Sequence, residues 1–298
     1  MPQSQHPGRI CEAGWPQRRV VARCWLDTTI LVSACICRVC GRAPMTPLER
    51  AGYIAHGRTA AHRNKVARAM CLIAEHPDYA VSISWGKDSG VMLHMAAMVC
   101  PNIRVINIRY PHWAERLADH DRVRDEMLSR PEMAAGQYTE LPAPGMWQAY
   151  EKFGIHDSET TEGRAATAWF DRQFNAAFEA VEVSGHIVGM RAAESQRRTW
   201  NILKRGVHYQ RKDGRRMLLP LAGWSGKDVW AYTATHDLPY LRIYDHATYN
   251  RDRQRSEIAL SSTQSRMLHA QGEFQAWQMC YPAEFQAWCD RWPELAYS

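Results

Sequence analysis

Ser89–Val99 (SGVMLHMAAMV) is apolar on nearly every side of a helical projection, and it follows directly on a short β-prone run, Ala80–Ser84 (AVSIS), and a glycine, Gly86. A helix without a polar face cannot lie on a surface; it has to be covered by a sheet or by other helices. Strand, glycine turn and buried helix in that order open an α/β arrangement. The following stretches agree. Pro101 and Asn102 break the helix, Ile103–Ile108 (IRVINI) reads as the next strand, and Ala114–Ser129 as an exposed charged helix. Gln137–Leu141 reads as a third strand, Arg164–Val183 as an amphipathic helix and His186–Gly189 as a short strand. Tyr209–Leu219 predicts a hairpin turning at Asp213-Gly214, and Ser225–His236 an N-capped helix. Thr46–Glu75 carries a helical stripe through Ile54, Val66, Met70 and Ile73. Strands alternating with helices predict an α/β fold, a doubly wound and mostly parallel sheet.

In such sheets ligands bind beyond the carboxyl ends of the strands. That rule selects residues 84–89, 107–112 and 189–198. Composition adds little: 46% apolar and 23% charged residues exclude a disordered or fibrous chain, and no run is long and apolar enough for a membrane span. The net charge of +6 is uneven. Residues 1–44 hold six Arg against Glu12 and Asp27, a balance of +4, which leaves +2 for residues 45–298 and no strong electrostatic case there for nucleic acid.

Residues 1–44 look foreign to the rest. They contain Cys11, Cys24, Cys35, Cys37 and Cys40, five of the nine cysteines, and no sustained period. Cys35-x-Cys37-x-x-Cys40 suggests part of a zinc site but lacks a second ligand pair at finger spacing. Val32–Cys35 mimics a lipoprotein export signal, with Asp27 against it. The expectation is a poorly ordered extension (1–44), then the main α/β domain (45–250) and a helical C-terminal region packed on it (251–298). In that last region Glu273–Trp277 (EFQAW) recurs as Glu284–Trp288, which predicts two short helices with similar aromatic faces used for packing.

Ser84-Trp85-Gly86-Lys87-Asp88-Ser89 lies between the first strand and the buried helix. Main-chain N–H groups at such a turn and at the helix N-terminus form an anion cradle. Gly86 admits close approach of phosphate, the Ser84 and Ser89 hydroxyls add donors, and Lys87 adds a charge. Asp88 suits an anion site only as a helix cap or as a magnesium ligand. The spacing is not that of a Walker A loop. An ordinary glycine turn with an Asp or Ser cap fits the same six residues.

VSISWGKDSGVMLHM resembles the PP-loop, S-G-G-x-D-S, of the ATP-pyrophosphatase (adenine nucleotide α-hydrolase) superfamily, and within it the 3′-phosphoadenylylsulfate (PAPS) reductase family. HIVGMRAAESQRR is similar to that family's G-h-R-x-x-E-S-x-x-R, and LLPLAGWSGKDVWAYTATHDLPYLRIYDH to its third motif, in the same order. The resemblance implies phosphate contacts from Ser84, Gly86, Lys87, Asp88 and Ser89, and Gly189 beside the adenosine, where a side chain would obstruct the nucleotide. It implies that Arg191 and Arg198, with Glu194 and Ser195, meet the phosphate or sulfate tail. Lys87, Asp88, Arg191 and Arg198 would be the catalytic set, with ATP or PAPS as nucleotide and Mg2+ at Asp88. Asp228 and Trp230 of the third motif are expected to support the fold, and His94 to be a packed residue.

Three departures qualify that picture. Trp85 replaces the loop's second Gly and is expected to stack on the base or close the site. Arg109 stands where the family often has an acid, which suggests an altered substrate or ribose contact. The family's C-terminal E-C-G-L-H is absent, and the body offers only Cys71, Cys100, Cys280 and Cys289. The leading expectation is therefore cleavage of the α–β bond of ATP to adenylylate an acceptor, as a step toward sulfur transfer, with a nucleic acid or a sulfur-donor protein as the partner. Reduction of PAPS through Cys280 or Cys289 is the alternative, and a nucleotide-binding co-regulator without chemistry a second one. A cytoplasmic protein, without membrane association and able to form homo-oligomers, is implied.

Overall fold

The structure, a computed structural model, describes residues 45–110, 114–154, 160–245 and 273–293. Every described residue belongs to the unit Ile36–Ser298. The expectations for residues 1–44 lie outside the described residues.

Six strands form one sheet in the order β3-β2-β1-β4-β6-β5. They are β1 (Ala80–Ile83), β2 (Arg104–Arg109), β3 (Gln137–Pro142), β4 (His186–Val188), β5 (His208–Gln210) and β6 (Arg216–Leu218). All neighbours run parallel except β5, which returns antiparallel to β6. Successive strands step outward from β1 through β2 to β3; the chain then crosses back to lay β4 on the other side of β1. The order therefore reverses between β1 and β4, the place where open α/β sheets bind ligands.

The all-round apolar helix is α3 (Lys87–Val99), buried at nearly every position. The stretch predicted as one helix, Thr46–Glu75, is two: α1 (Pro47–Gly57) and α2 (Ala60–Ala74). The Thr59 side chain accepts from the His62 N–H and starts the second helix. Further along lie α4 (Ala114–Leu128), α5 (Met146–Phe153), α6 (Thr161–Glu179), α7 (Gln196–Arg205) and α8 (Gly226–His236). As expected, Ser225 caps α8, and Trp230 is fully buried. Asp228 completes the capping box and also accepts from Lys65 Nζ at 2.7 Å. His94 is buried as well: Nε2 lies 2.9 Å from Glu132, and Nδ1 2.8 Å from the Tyr232 hydroxyl.

The repeated EFQAW segments open α9 (Glu273–Cys280) and α10 (Pro282–Arg291). Trp277 and Trp288, equivalent in the two copies, are buried with ring centres 5.6 Å apart, so the repeat serves packing. No helix among the described residues is long and apolar enough to cross a membrane.

Candidate functional site

The chain leaves β1 at Ile83 and turns through Ser84-Trp85-Gly86 into α3. Gly86 is the N-cap, extended at φ −71°, ψ 161°, and no side chain caps the helix. The Lys87 N–H makes a long contact, 3.4 Å, with the Tyr244 hydroxyl. The first turn of α3 thus keeps the electropositive character that attracts anions. Ser89 Oγ donates to the Gly86 carbonyl at 3.0 Å and accepts from the Ser84 N–H at 3.3 Å, which ties the turn into a ring.

Two cations converge here on one carboxylate. Lys87 Nζ donates to Asp88 Oδ2 at 2.9 Å, and Arg191 Nε to Asp88 Oδ1 at 2.6 Å. Both are buried, Lys87 at 5% exposure and Arg191 at 3%. Arg191 comes from just beyond β4, so the pair spans the point where the strand order reverses. The Arg191 N–H donates to Glu194 Oε2 at 2.9 Å, and Arg198 pairs with the same carboxylate. Counting these five side chains, three cations face two carboxylates, a local balance of +1.

Of the predicted residues, Ser84, Gly86, Lys87, Asp88, Ser89, Gly189 and Arg191 come together. Arg198 does not reach the loop; it is partly exposed and linked to it only through Glu194. Ser195 caps α7 by accepting from the Arg198 N–H at 3.2 Å. Gly189 packs directly against the loop. A Cβ there would lie 2.9 Å from Ser89 N and 3.0 Å from the Asp88 carbonyl carbon, so the protein's own loop excludes a side chain.

The Trp85 indole turns inward and borders the small cleft next to the loop. It is 2% exposed and packs at 5.8 Å from the Tyr138 ring. Its backbone has φ +58°, the left-handed region that favours glycine. Arg109 is matched by acidic neighbours. Its guanidinium forks onto Asp121, at 2.6 and 3.0 Å, with Glu140 at 3.4 Å, and these bonds hold the Asp121 carboxyl below its ordinary range.

Next to the loop is a small cleft bordered by Ser84, Trp85, Asn107, Arg109, Tyr110 and His120. It shares Arg109, Tyr110 and Leu117 with a cavity of about 670 Å³ that reaches Pro142, Ala143, Pro144 and Gln148. That size suits a small-molecule site, and the walls are largely apolar. Sequence reading missed His120 and Tyr244, which reach the site from α4 and from the chain after α8. Burial, reinforced by Arg116, lowers the His120 pKa to about 4, so its imidazole is neutral near pH 7.

Magnesium finds little here. Both Asp88 oxygens are engaged by cations, and among the described residues no group of three or more His, Cys, Asp or Glu could hold a metal ion. The residues present do not make a protein-held metal site.

None of the thiols among the described residues takes part in the Lys87–Asp88 and Asp88–Arg191 bonds of the clamp. Cys280 is buried, its Sγ donating to the Arg242 carbonyl at 3.7 Å. Burial pushes the Cys289 thiol up, and Asp290 adds to that. Burial also raises Cys100, while Cys71 is exposed on α2.

Comparison with known proteins agrees with the motifs. The family model for the phosphoadenosine phosphosulfate reductase domain matches residues 78–265, more than half of the chain. The phosphoadenosine 5′-phosphosulfate reductase of Xylella fastidiosa (strain M23) is 28% identical over 208 residues, covering 68% of this chain and 80% of that protein. Its counterpart in a Synechococcus strain is 26% identical over 167 residues, 55% of this chain and 68% of that protein. Among solved structures, a PAPS reductase from Candida auris in a phosphate complex aligns with a TM-score of 0.43 at 14% identity, covering 70% of this chain and 95% of that one. NMN synthetase from Francisella tularensis aligns with a TM-score of 0.41 at 11% identity, over 77% and 93%. On the ordered motifs and the span of the family match, this chain belongs to the phosphoadenosine phosphosulfate reductase domain family.

Proposed function

We propose that the chain binds an adenine nucleotide with its phosphates at the Ser84–Ser89 turn, and that it transfers the adenylyl group of ATP to an acceptor. The observation that carries this is the buried Lys87–Asp88–Arg191 clamp at the uncapped start of α3. Two buried cations held by one carboxylate are preorganised for a polyanion. An entering phosphate replaces Asp88 as their counterion without a large rearrangement. The apolar cavity beside the turn suits the nucleoside part.

In the step proposed, an acceptor oxygen attacks the α-phosphorus and loses its proton. The α–β P–O bond breaks, and pyrophosphate leaves with the bond's electron pair. Lys87 and Arg191 stabilise the charge that builds on the departing oxygens, and positioning supplies much of the remaining rate. No redox partner is required.

Reduction of PAPS is the second reading, favoured by the names of the relatives. It needs a thiolate near the clamp; burial raises the Cys289 thiol, and the buried Cys280 Sγ faces the Arg242 carbonyl rather than a cation.

One experiment separates the two. ATP with candidate acceptors is assayed for pyrophosphate, and PAPS with a dithiol for sulfite. Adenylyl transfer predicts pyrophosphate release that drops at least about a hundredfold in Lys87→Ala, as expected for loss of a charge stabiliser. Equal release by that variant contradicts the assignment. Sulfite that disappears in Cys280→Ser/Cys289→Ser establishes reduction instead.

A further inference from the structure

Helix α7 leaves most of its surface in solvent. None of its residues is buried, and Trp200 and Leu203 are 64% and 71% exposed. A ten-residue helix has little stability of its own in water, and an indole left in solvent forgoes its burial energy. The polar side chains around it are cationic. From Arg191 to Arg216 the sequence holds seven Arg and two Lys against Glu194 and Asp213, a local balance of +7. The body as a whole carries only +2, so the overall sum conceals a segregated surface.

Four of these cations are already matched: Arg191 by Asp88, Arg198 by Glu194, and Arg211 and Arg215 by Asp213. The other five, Arg197, Lys204, Arg205, Lys212 and Arg216, are exposed and have no carboxylate partner among the described residues. Their arrangement is a track. Arg197, Trp200 and Lys204, spaced three and four residues apart, share one face of α7. The Arg205 guanidinium lies over the Tyr209 ring at 5.4 Å, Arg216 stands opposite Gln210 across the hairpin, and Lys212 is at the hairpin turn. At its other end the track starts at Ser195, four residues from Arg191 of the clamp.

We infer that α7 and the β5–β6 hairpin bind a single-stranded nucleic acid, with a base stacked on Trp200 and phosphates along the five cations. Exposed aromatic rings interleaved with cations are what unpaired strands require, because each base offers a free face; a duplex hides those faces. The inference does not depend on which reaction the clamp performs, and its test needs no turnover.

The test is fluorescence anisotropy of the full chain, without nucleotide, on labelled DNA and RNA single strands of about 15 nucleotides and on the matching duplex. Single strands bind more tightly than the duplex, with affinity falling steeply as salt rises. Trp200→Ala weakens binding about tenfold and Trp200→Phe less than about threefold, as expected for stacking. Arg197→Glu/Lys204→Glu weakens it more than about thirtyfold, while Arg58→Glu/Arg68→Glu, a charge-matched change away from α7, stays within about twofold. Residues 1–44, with six Arg of their own, are the same in every variant. Binding that survives both α7 changes, a preference for duplex, or no binding at low salt overturns the inference. So does an oligomer that Trp200→Ala converts to monomer in sedimentation, because the face is then covered by a second copy.

Discussion

Trp85 holds a backbone position that glycine takes at no steric cost, and it does so with its indole buried against Tyr138. A left-handed conformation costs a non-glycine residue about 1–2 kcal/mol. Truncating a buried Trp costs about 3–5 kcal/mol. Lost packing outweighs relieved strain: Trp85→Gly, although it restores the family's glycine, destabilises the fold, and differential scanning calorimetry should show a lower Tm. A higher Tm would mean that strain dominates and that the indole contributes little. At this scale the sequence was readable in part. The turn and the start of the apolar helix behind it follow from six adjacent residues. The Asp88–Arg191 bond does not, because its partners are 103 residues apart and only the strand order brings them together. His120 and Tyr244 are hidden for the same reason. The solvated or buried state of an indole is likewise set by neighbours such as Tyr138, not by the turn itself.

At the level of elements, the close approach of β4 to α3 is what carries Arg191 to the loop. Gly189→Ala places a methyl 2.9 Å from Ser89 N and 3.0 Å from the Asp88 carbonyl carbon, so strand and helix start have to part. Overpacking of this kind costs about 1–3 kcal/mol. Stability and nucleotide affinity should therefore fall together, measured by urea unfolding and by calorimetric titration; lost affinity at unchanged stability would instead support a direct steric role toward the ligand. Apolar runs between chain breakers made β1, β2 and β4 readable from sequence, an Asp-Gly turn the hairpin, an all-round apolar run α3, an amphipathic stripe α6 and a serine cap α8. Two turns of helix after Pro142-Ala143-Pro144-Gly145 did not announce α5, because a run of eight residues is too short to establish a period. The division of α1 from α2 rests on one threonine cap, a signal that a continuous apolar stripe conceals.

For the whole molecule, the C-terminal helices are held to the sheet layer by buried polar bonds as well as by tryptophans. Arg116 Nε donates to Glu284 Oε2 at 2.7 Å, and the Tyr281 hydroxyl donates to Asp119 Oδ2 at 2.8 Å. Glu284→Ala removes the carboxylate opposite a buried guanidinium and should cost about 3–5 kcal/mol in urea unfolding. A loss below about 1 kcal/mol would mean that the aromatic packing alone fixes these helices.

Acid should also loosen the fold. Burial is the first cause that lowers His94, His120 and His186, each to about 4. Above pH 6.5 both folded and unfolded chains hold these rings neutral. Between about 6.5 and 4 the unfolded chain takes up protons that the folded one refuses, so stability falls as pH falls, on the order of 1.4 kcal/mol per unit for each histidine. Urea midpoints at pH 7 and pH 5 should differ accordingly, and equal midpoints would contradict the buried, neutral state of these rings.

The central claim is that the Lys87–Asp88–Arg191 clamp receives the phosphates of an adenine nucleotide. Isothermal titration of the full chain with ATP and with PAPS tests it most directly, alongside Lys87→Gln and Arg191→Gln proteins of verified fold. Saturable binding by the unaltered chain, weakened at least about tenfold in each variant, is the predicted result for loss of a charge-assisted phosphate contact. Undiminished affinity in both folded variants would place the nucleotide elsewhere.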